Sequence, residues 1–292
     1  MFSRGFFKGW YFKCCTRDGQ TVAFIPAFHG RGSRRSASLQ IITARSSYFI
    51  PFDCLQYREK PLSIRLGSCC FSDRGLILNR PEGPAPLSGS LRFQGFAPPS
   101  RDIMGPFALL PFLPCRHRIC SMQHRIDGRI TVGDEVFTFH NGRGYAEGDE
   151  GCSFPRRYLW SQCLFAGGSL MLAAAEIPLP GLTFMGTIAH ITLNGQSYRL
   201  ATYRGARIDR LTPDSPTVRQ GPFVLSARLL QRCERPLQAP RQGLMSRTIY
   251  ESAACRVYYR FTCRDMVLLE FVNESASFES DAEAEASAPP AP

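Results

Sequence analysis

The chain has 292 residues, 44% of them hydrophobic and 20% charged, with a formal net charge of +11. That composition fits one large globular domain or two ordinary ones and excludes a collagen-like or coiled-coil chain. The 22 Phe, 10 Tyr and 22 Pro favour short strands and frequent turns over long helices.

The N-terminal run Met1 to Gly9 is broken by Ser3, Arg4 and Lys8, so it lacks the apolar core of a secretory signal. No stretch reaches the roughly 18 apolar residues that a membrane helix needs. The expectation is a soluble cytoplasmic protein. Its twelve cysteines include no Cys-x-x-Cys pair and read as reduced packing thiols, with no metal site.

Turn dipeptides punctuate the chain at Asp18-Gly19, Asp127-Gly128, Gly133-Asp134, Asn141-Gly142 and Asn194-Gly195. Between and beyond them lie alternating runs such as Thr21 to Ile25, Leu39 to Thr43, Glu135 to Phe139, Thr187 to Leu193 and Cys255 to Phe261, each with one wet and one dry face. No amphipathic helix longer than about three turns stands out. Many short strands with regular turns predict an all-β chain, a sandwich or a barrel.

The Pro-rich stretch from Ala97 to Pro114 marks the expected junction, giving halves at 1–113 and 114–272. A strand bearing Trp10, a glycine turn and an apolar strand recur as the strand bearing Trp160, Gly167-Gly168 and Leu170 to Ala173, an echo of duplication. Residues 273–292 are rich in Ala, Glu, Ser and Pro and are expected to be a disordered acidic tail. That tail holds five acids and no Lys or Arg, which leaves +16 on the body. The excess offers contact to an anionic membrane surface, but no block of five basic residues occurs, which argues against nucleic acid as a partner.

Tyr145-Ala146-Glu147-Gly148-Asp149-Glu150-Gly151 reads as a glycine-bracketed acidic loop running into the aromatic stretch Phe154 to Trp160. Acids beside an apolar wall can hold a proton at neutral pH. His117 and His124 lie seven apart, so on a regular strand they face opposite sides and cannot share a metal ion, although either could act as an internal base. No nucleotide-binding or nucleophile-elbow motif is present.

Tyr145-x-Glu147-x-x-x-Gly151-x-x-Phe154-Pro155-x-x-x-x-Trp160-x-Gln162, together with Phe7-Lys8-Gly9-Trp10-Tyr11-Phe12-Lys13, resembles the tocopherol cyclase family. The chain departs from the plant pattern at Lys8 and at Gly148-Asp149-Glu150, which bears on the substrate more than on the fold. The resemblance implies two lipocalin-like antiparallel β-barrels in tandem, an architecture shared with carotenoid hydratases. It also implies an apolar small-molecule substrate and closure of a chromanol ring, with no cofactor, by protonation of a prenyl double bond and addition of a phenol. In that reading Glu147 is the acid, Asp149 its alternate, and His124 assists the phenol. Trp10, Tyr145, Phe154, Trp160 and Gln162 bind the substrate. The competing expectation is a non-catalytic lipocalin-like carrier of an isoprenoid, quinol or other apolar ligand.

Overall fold

The computed structural model describes residues 5–110, 113–179 and 181–282. The first sheet contains β1 (Phe6–Cys15), β2 (Thr21–Arg31), β3 (Arg34–Thr43), β4 (Ser47–Phe52), β5 (Gln56–Glu59), β6 (Leu62–Leu66), β7 (Cys69–Ser72), β8 (Gly75–Arg80), β9 (Leu87–Gln94), β10 (Cys115–Val132) and β11 (Glu135–Gly151). The second contains β12 (Arg157–Phe165), β13 (Gly168–Leu179), β14 (Leu182–Leu193), β15 (Gln196–Ala201), β16 (Arg207–Thr212), β17 (Ser215–Gln220), β18 (Phe223–Gln231), β19 (Arg235–Arg241), β20 (Leu244–Cys263) and β21 (Met266–Ala282). Every pairing is antiparallel. The strand orders are β4-β3-β2-β1-β11-β10-β9-β8-β7-β6-β5 and β15-β14-β13-β12-β21-β20-β18-β17-β16, with β19 added on β20. The expected all-β architecture of two lipocalin-like units in tandem is what the chain forms, although among the described residues neither strand path closes on itself.

Each sheet curls around its own core, because alternate side chains must leave water on the concave face. Phe12, Phe24, Ile41, Phe71 and Phe139 fill the first, and Leu172, Val257, Tyr259, Phe261 and Phe278 the second. The opposite faces of β1, β10 and β11 meet those of β12, β13 and β20 across a third cluster that includes Tyr11, Met122, Tyr145, Trp160, Met171 and Ile249. Lys13, fully buried at this seam, donates from Nζ to the Ser275 carbonyl at 2.8 Å and so ties β1 to β21. The strands bearing Trp10 and Trp160 hold equivalent places, each between a hairpin partner and the last strand of its sheet.

Three expectations change. The boundary expected after residue 113 falls instead at 152–156, because β10 and β11 complete the first sheet. The Pro-rich stretch is a strap laid across the second unit: Arg199 donates to the carbonyls of Arg101 and Asp102 at 2.7 Å, and the Tyr203 hydroxyl to that of Ile103 at 2.9 Å. Asp127-Gly128 and Asn141-Gly142 lie inside β10 and β11, where Asp127 Oδ1 accepts from the Asn141 amide at 2.9 Å beside a register shift. Such bulges bend long strands around a core.

The third change concerns the tail. Residues 273–282 continue β21, which pairs with both β12 and β20, while the rest of the expected tail lies outside the described residues. Phe278 is 2% exposed in the second core. Phe278→Leu should therefore cost about 1 kcal/mol of stability, read as a lowered urea midpoint, where a disordered tail would give no change. No helix among the described residues is long and apolar enough to cross a membrane.

Candidate functional site

The acidic segment is strand, and this decides its geometry. On β11 the odd positions Tyr145, Glu147 and Asp149 project to one face, toward the second sheet, while Ala146 packs into the first core. β1 sets Tyr11 opposite Glu147 and Gly9 opposite Asp149. β10 sets His117 opposite Asp149. Gly9 and Asp149 both line the cavity between the sheets. Gly148 lets Trp10 close against β11, since a Cβ there would lie 3.3 Å from Trp10 Cδ1.

Between the two sheets lies a cavity of about 200 Å³. Its walls are largely apolar, with Phe7, Tyr11, Phe154, Tyr158 and Trp160 among them. Gln40, Glu176, Thr187 and Gln238 also line it, and the other four of its five acids fall on two facing walls. On the first, His117 Nδ1 lies 2.9 Å from Asp149 Oδ1 and Nε2 lies 3.3 Å from Glu147 Oε2. The second contact lacks hydrogen-bond alignment and is one of charge. Glu147 Oε2 also accepts from the Tyr145 hydroxyl and, at 3.2 Å, from Trp160 Nε1. Burial alone disfavours the imidazolium of His117, but the charges of Glu147 and Asp149 outweigh it and raise its pKa well above that of a free histidine.

The second wall carries Glu251 and Glu279, directly opposite one another on β20 and β21. The Tyr11 hydroxyl donates to Glu251 Oε1 at 2.5 Å and lies 3.2 Å from Ser277 Oγ, and the Tyr158 hydroxyl donates to Glu279 Oε1. Burial lifts Glu279 well above the carboxylate range, and the charges of Asp281, Asp149 and Glu147 lift it further. Burial likewise lifts Glu251 to about 7, with the Tyr11 hydroxyl and the charge of Lys13 opposing the rise. Arg247 fixes this end of β21 by pairing with Asp281 at 2.8 Å while donating to the carbonyls of Pro155 and Arg156.

The shift at Glu251 has a consequence for stability. A folded pKa above the unfolded 4.5 contributes fully below that pH, and the contribution is lost as pH climbs through about 7. The size is on the order of 3 kcal/mol. Glu251→Gln should remove this decline, so that urea unfolding gives the variant a flatter profile between those pH values and greater stability than the parent at pH 8. A parallel decline in both proteins would refute the assignment.

Of the residues singled out from sequence, Glu147, Asp149, Trp10, Phe154 and Trp160 line the cavity, with Tyr145 behind Glu147 as its hydrogen-bond donor. His124 does not reach it. Its ring packs tilted in the first unit against Phe93 and Phe96, with centroids at 4.5 and 4.9 Å and Nδ1 3.1 Å from Ser121 Oγ, and burial depresses its pKa to about 3. Gln162 is fully buried away from the cavity lining, with both amide atoms unpartnered. Sequence reasoning missed the placement of His117, Glu251, Glu279, Tyr11 and Tyr158 on the cavity. The shared parity of Ser277, Glu279 and Asp281 with no hydrophobic residue among them carried no signal of burial.

His117, Glu147 and Asp149 bring one potential ligand atom each within 4.8 Å of one another, a spacing open to a divalent cation. The ring directs one nitrogen to each carboxylate, however, so it would have to leave one of them to share an ion with both. The arrangement suits an imidazolium between two carboxylates better than a ligand set.

No family model matches the chain, and no curated protein matches it. Among solved structures the chain is similar to CghA in complex with Sch210972, with a TM-score of 0.60 and 12% identity over 95% of this chain and 88% of that one. CghA alone gives the same TM-score at 11% identity. Kievitone hydratase from Nectria haematococca gives 0.55 at 8% identity, over 96% of this chain and 90% of that one. The chain thus shares the tandem lipocalin-like fold of these proteins over nearly its whole length.

Proposed function

We propose that the chain is a cofactor-independent enzyme that protonates an isolated double bond in a prenylated phenol or hydroquinone and closes a chromanol-type ring with the phenol oxygen. The observation that carries this reading is the placement of acids on two facing walls of one apolar cavity. Glu279, whose pKa burial raises well above the usual carboxylate range, stands on one wall, and Glu147 and Asp149 flank His117 on the other. A buried acid facing a histidine-paired carboxylate across an apolar gap supplies a donor and an acceptor for an acid–base reaction.

In this reaction Glu279 gives its proton to the alkene carbon, and the tertiary cation forms between the rings of Trp160, Tyr11 and Tyr158. The phenol oxygen adds to the cation, and its proton passes to Glu147. Three donor contacts fall on Glu147 Oε2, which leaves Oε1 for that proton. The acid therefore moves from Glu147, where the motif resemblance places it, to Glu279, and Glu147 becomes the base. Ring closure and hydration differ only in the oxygen nucleophile. The structural likeness to a protein named a hydratase supports water as the second choice of nucleophile.

The test is incubation with prenylated hydroquinones in deuterium oxide, followed by mass spectrometry and NMR. The reaction predicts a ring-closed product with one deuterium on the carbon next to the new ether carbon. A gain of water without ring closure would assign hydration. Recovery of unaltered bound ligand would assign a carrier and remove the enzymatic reading.

A further inference from the structure

Beside the apolar cavity lies a second, polar chamber of about 420 Å³. It is lined by Lys8, Glu59, Arg116, Arg118 and Glu150, and it shares His117 and Asp149 with the apolar cavity. Lys8 bridges Glu59 and Glu150 at 2.6 Å each, and Arg118 pairs with Glu59, so the positive and negative charges of the chamber are largely mutually paired. Such a polar, charge-paired lining suits water. Exposure falls from 24% at the side chain of Asp149 to 16% at His117, both shared, and to 6% at Glu147, which lines the apolar cavity alone.

From this gradient we infer that Asp149, His117 and Glu147 form a proton conduit joining the polar chamber to the apolar cavity, with Asp149 as the port. The inference rests on the proposed reaction, in which Glu147 takes a proton that has to leave a cavity poor in water. The transfers balance. The phenol O–H bond breaks and Glu147 gains the proton; the ring gives its Nδ1 proton to Asp149, which passes it to chamber water. A half turn of the imidazole then presents the bare nitrogen to Glu147, which returns its proton and restores the imidazolium and both carboxylates. No electrons are exchanged, and Glu279 is recharged from solvent. The geometry suits a ring that turns, because Nδ1 is hydrogen-bonded to Asp149 while Nε2 faces Glu147 without alignment.

Two measurements on the full chain test the conduit. Exchange of the His117 ring N–H protons with water, followed by NMR on protein labelled with nitrogen-15 at histidine, needs no substrate. Asp149→Asn should slow it by about tenfold or more, whereas Asp149→Glu, which keeps an acid at the port, should stay near the parent rate. An unchanged rate in Asp149→Asn overturns the proposal. With a turned-over prenylated hydroquinone, Asp149→Asn should lower kcat about tenfold at constant KM, and added formate, small enough for the chamber, should restore it. A kcat loss that formate leaves untouched likewise overturns it. If the parent turns over no such compound, the proposed reaction has failed, and the exchange measurement still decides the conduit.

Discussion

Glu279→Gln is expected to lower turnover of a prenylated hydroquinone by about 10³-fold while leaving the fold and ligand binding intact. The argument starts from burial. Glu279 is 7% exposed, at a site where burial and three nearby acids hold its carboxyl neutral. A glutamine is then close to isosteric and isoelectronic with the resting side chain, and its carbonyl can accept from the Tyr158 hydroxyl as Glu279 Oε1 does. Only the acidic proton is lost, so the change isolates the donor role. Measured kcat should fall with KM nearly constant, and the unfolding midpoint at neutral pH should not decrease. Near-parent turnover would return the role of acid to Glu147 or Glu251.

His117→Ala is expected to destabilise the protein by about 3 kcal/mol at pH 6, because it leaves Glu147 and Asp149 on a half-dry wall without the cation between them. Linkage sets the sign of the pH dependence. The folded pKa of His117 lies well above its unfolded value of 6.5, so its contribution is complete below that pH and is lost as pH rises through the elevated value. The gap between parent and variant should be widest just below pH 6.5 and narrow steadily in more alkaline buffer. Urea unfolding from pH 6 to pH 10 reads this directly, and a gap that stays constant over that range would mean the ring acts through packing alone.

The strands were legible in the sequence because one buried face imposes a period of two. Glu147 and Asp149 were legible because residues two apart on a strand share a face, and the aromatic stretch after them marks an apolar neighbour. His124 misled because parity correctly sets it on the face opposite His117 but does not say which of the two faces the cavity; His124 turns into the first unit against Phe93 and Phe96. The C-terminal stretch misled for a different reason. β21 lies between the second core and the seam, where close approach of two sheets requires small residues, and Ala276 and Ser277 are fully buried there. That composition is also the composition of disorder. Glu251 and Glu279 could not be found from local pattern, since their significance comes from lying opposite each other on β20 and β21 and facing a third strand, β11, more than a hundred residues earlier.

In the proposed reaction the proton donor sits on one sheet and the acceptor on the other, which makes reactivity a matter of alignment across the seam. A slide of one sheet over the other by a single residue step, about 3.4 Å, would carry Glu279 out of reach of a substrate held by the opposite wall. Heating should therefore extinguish turnover at temperatures where both β-sheets are still folded, with the loss reversing on cooling.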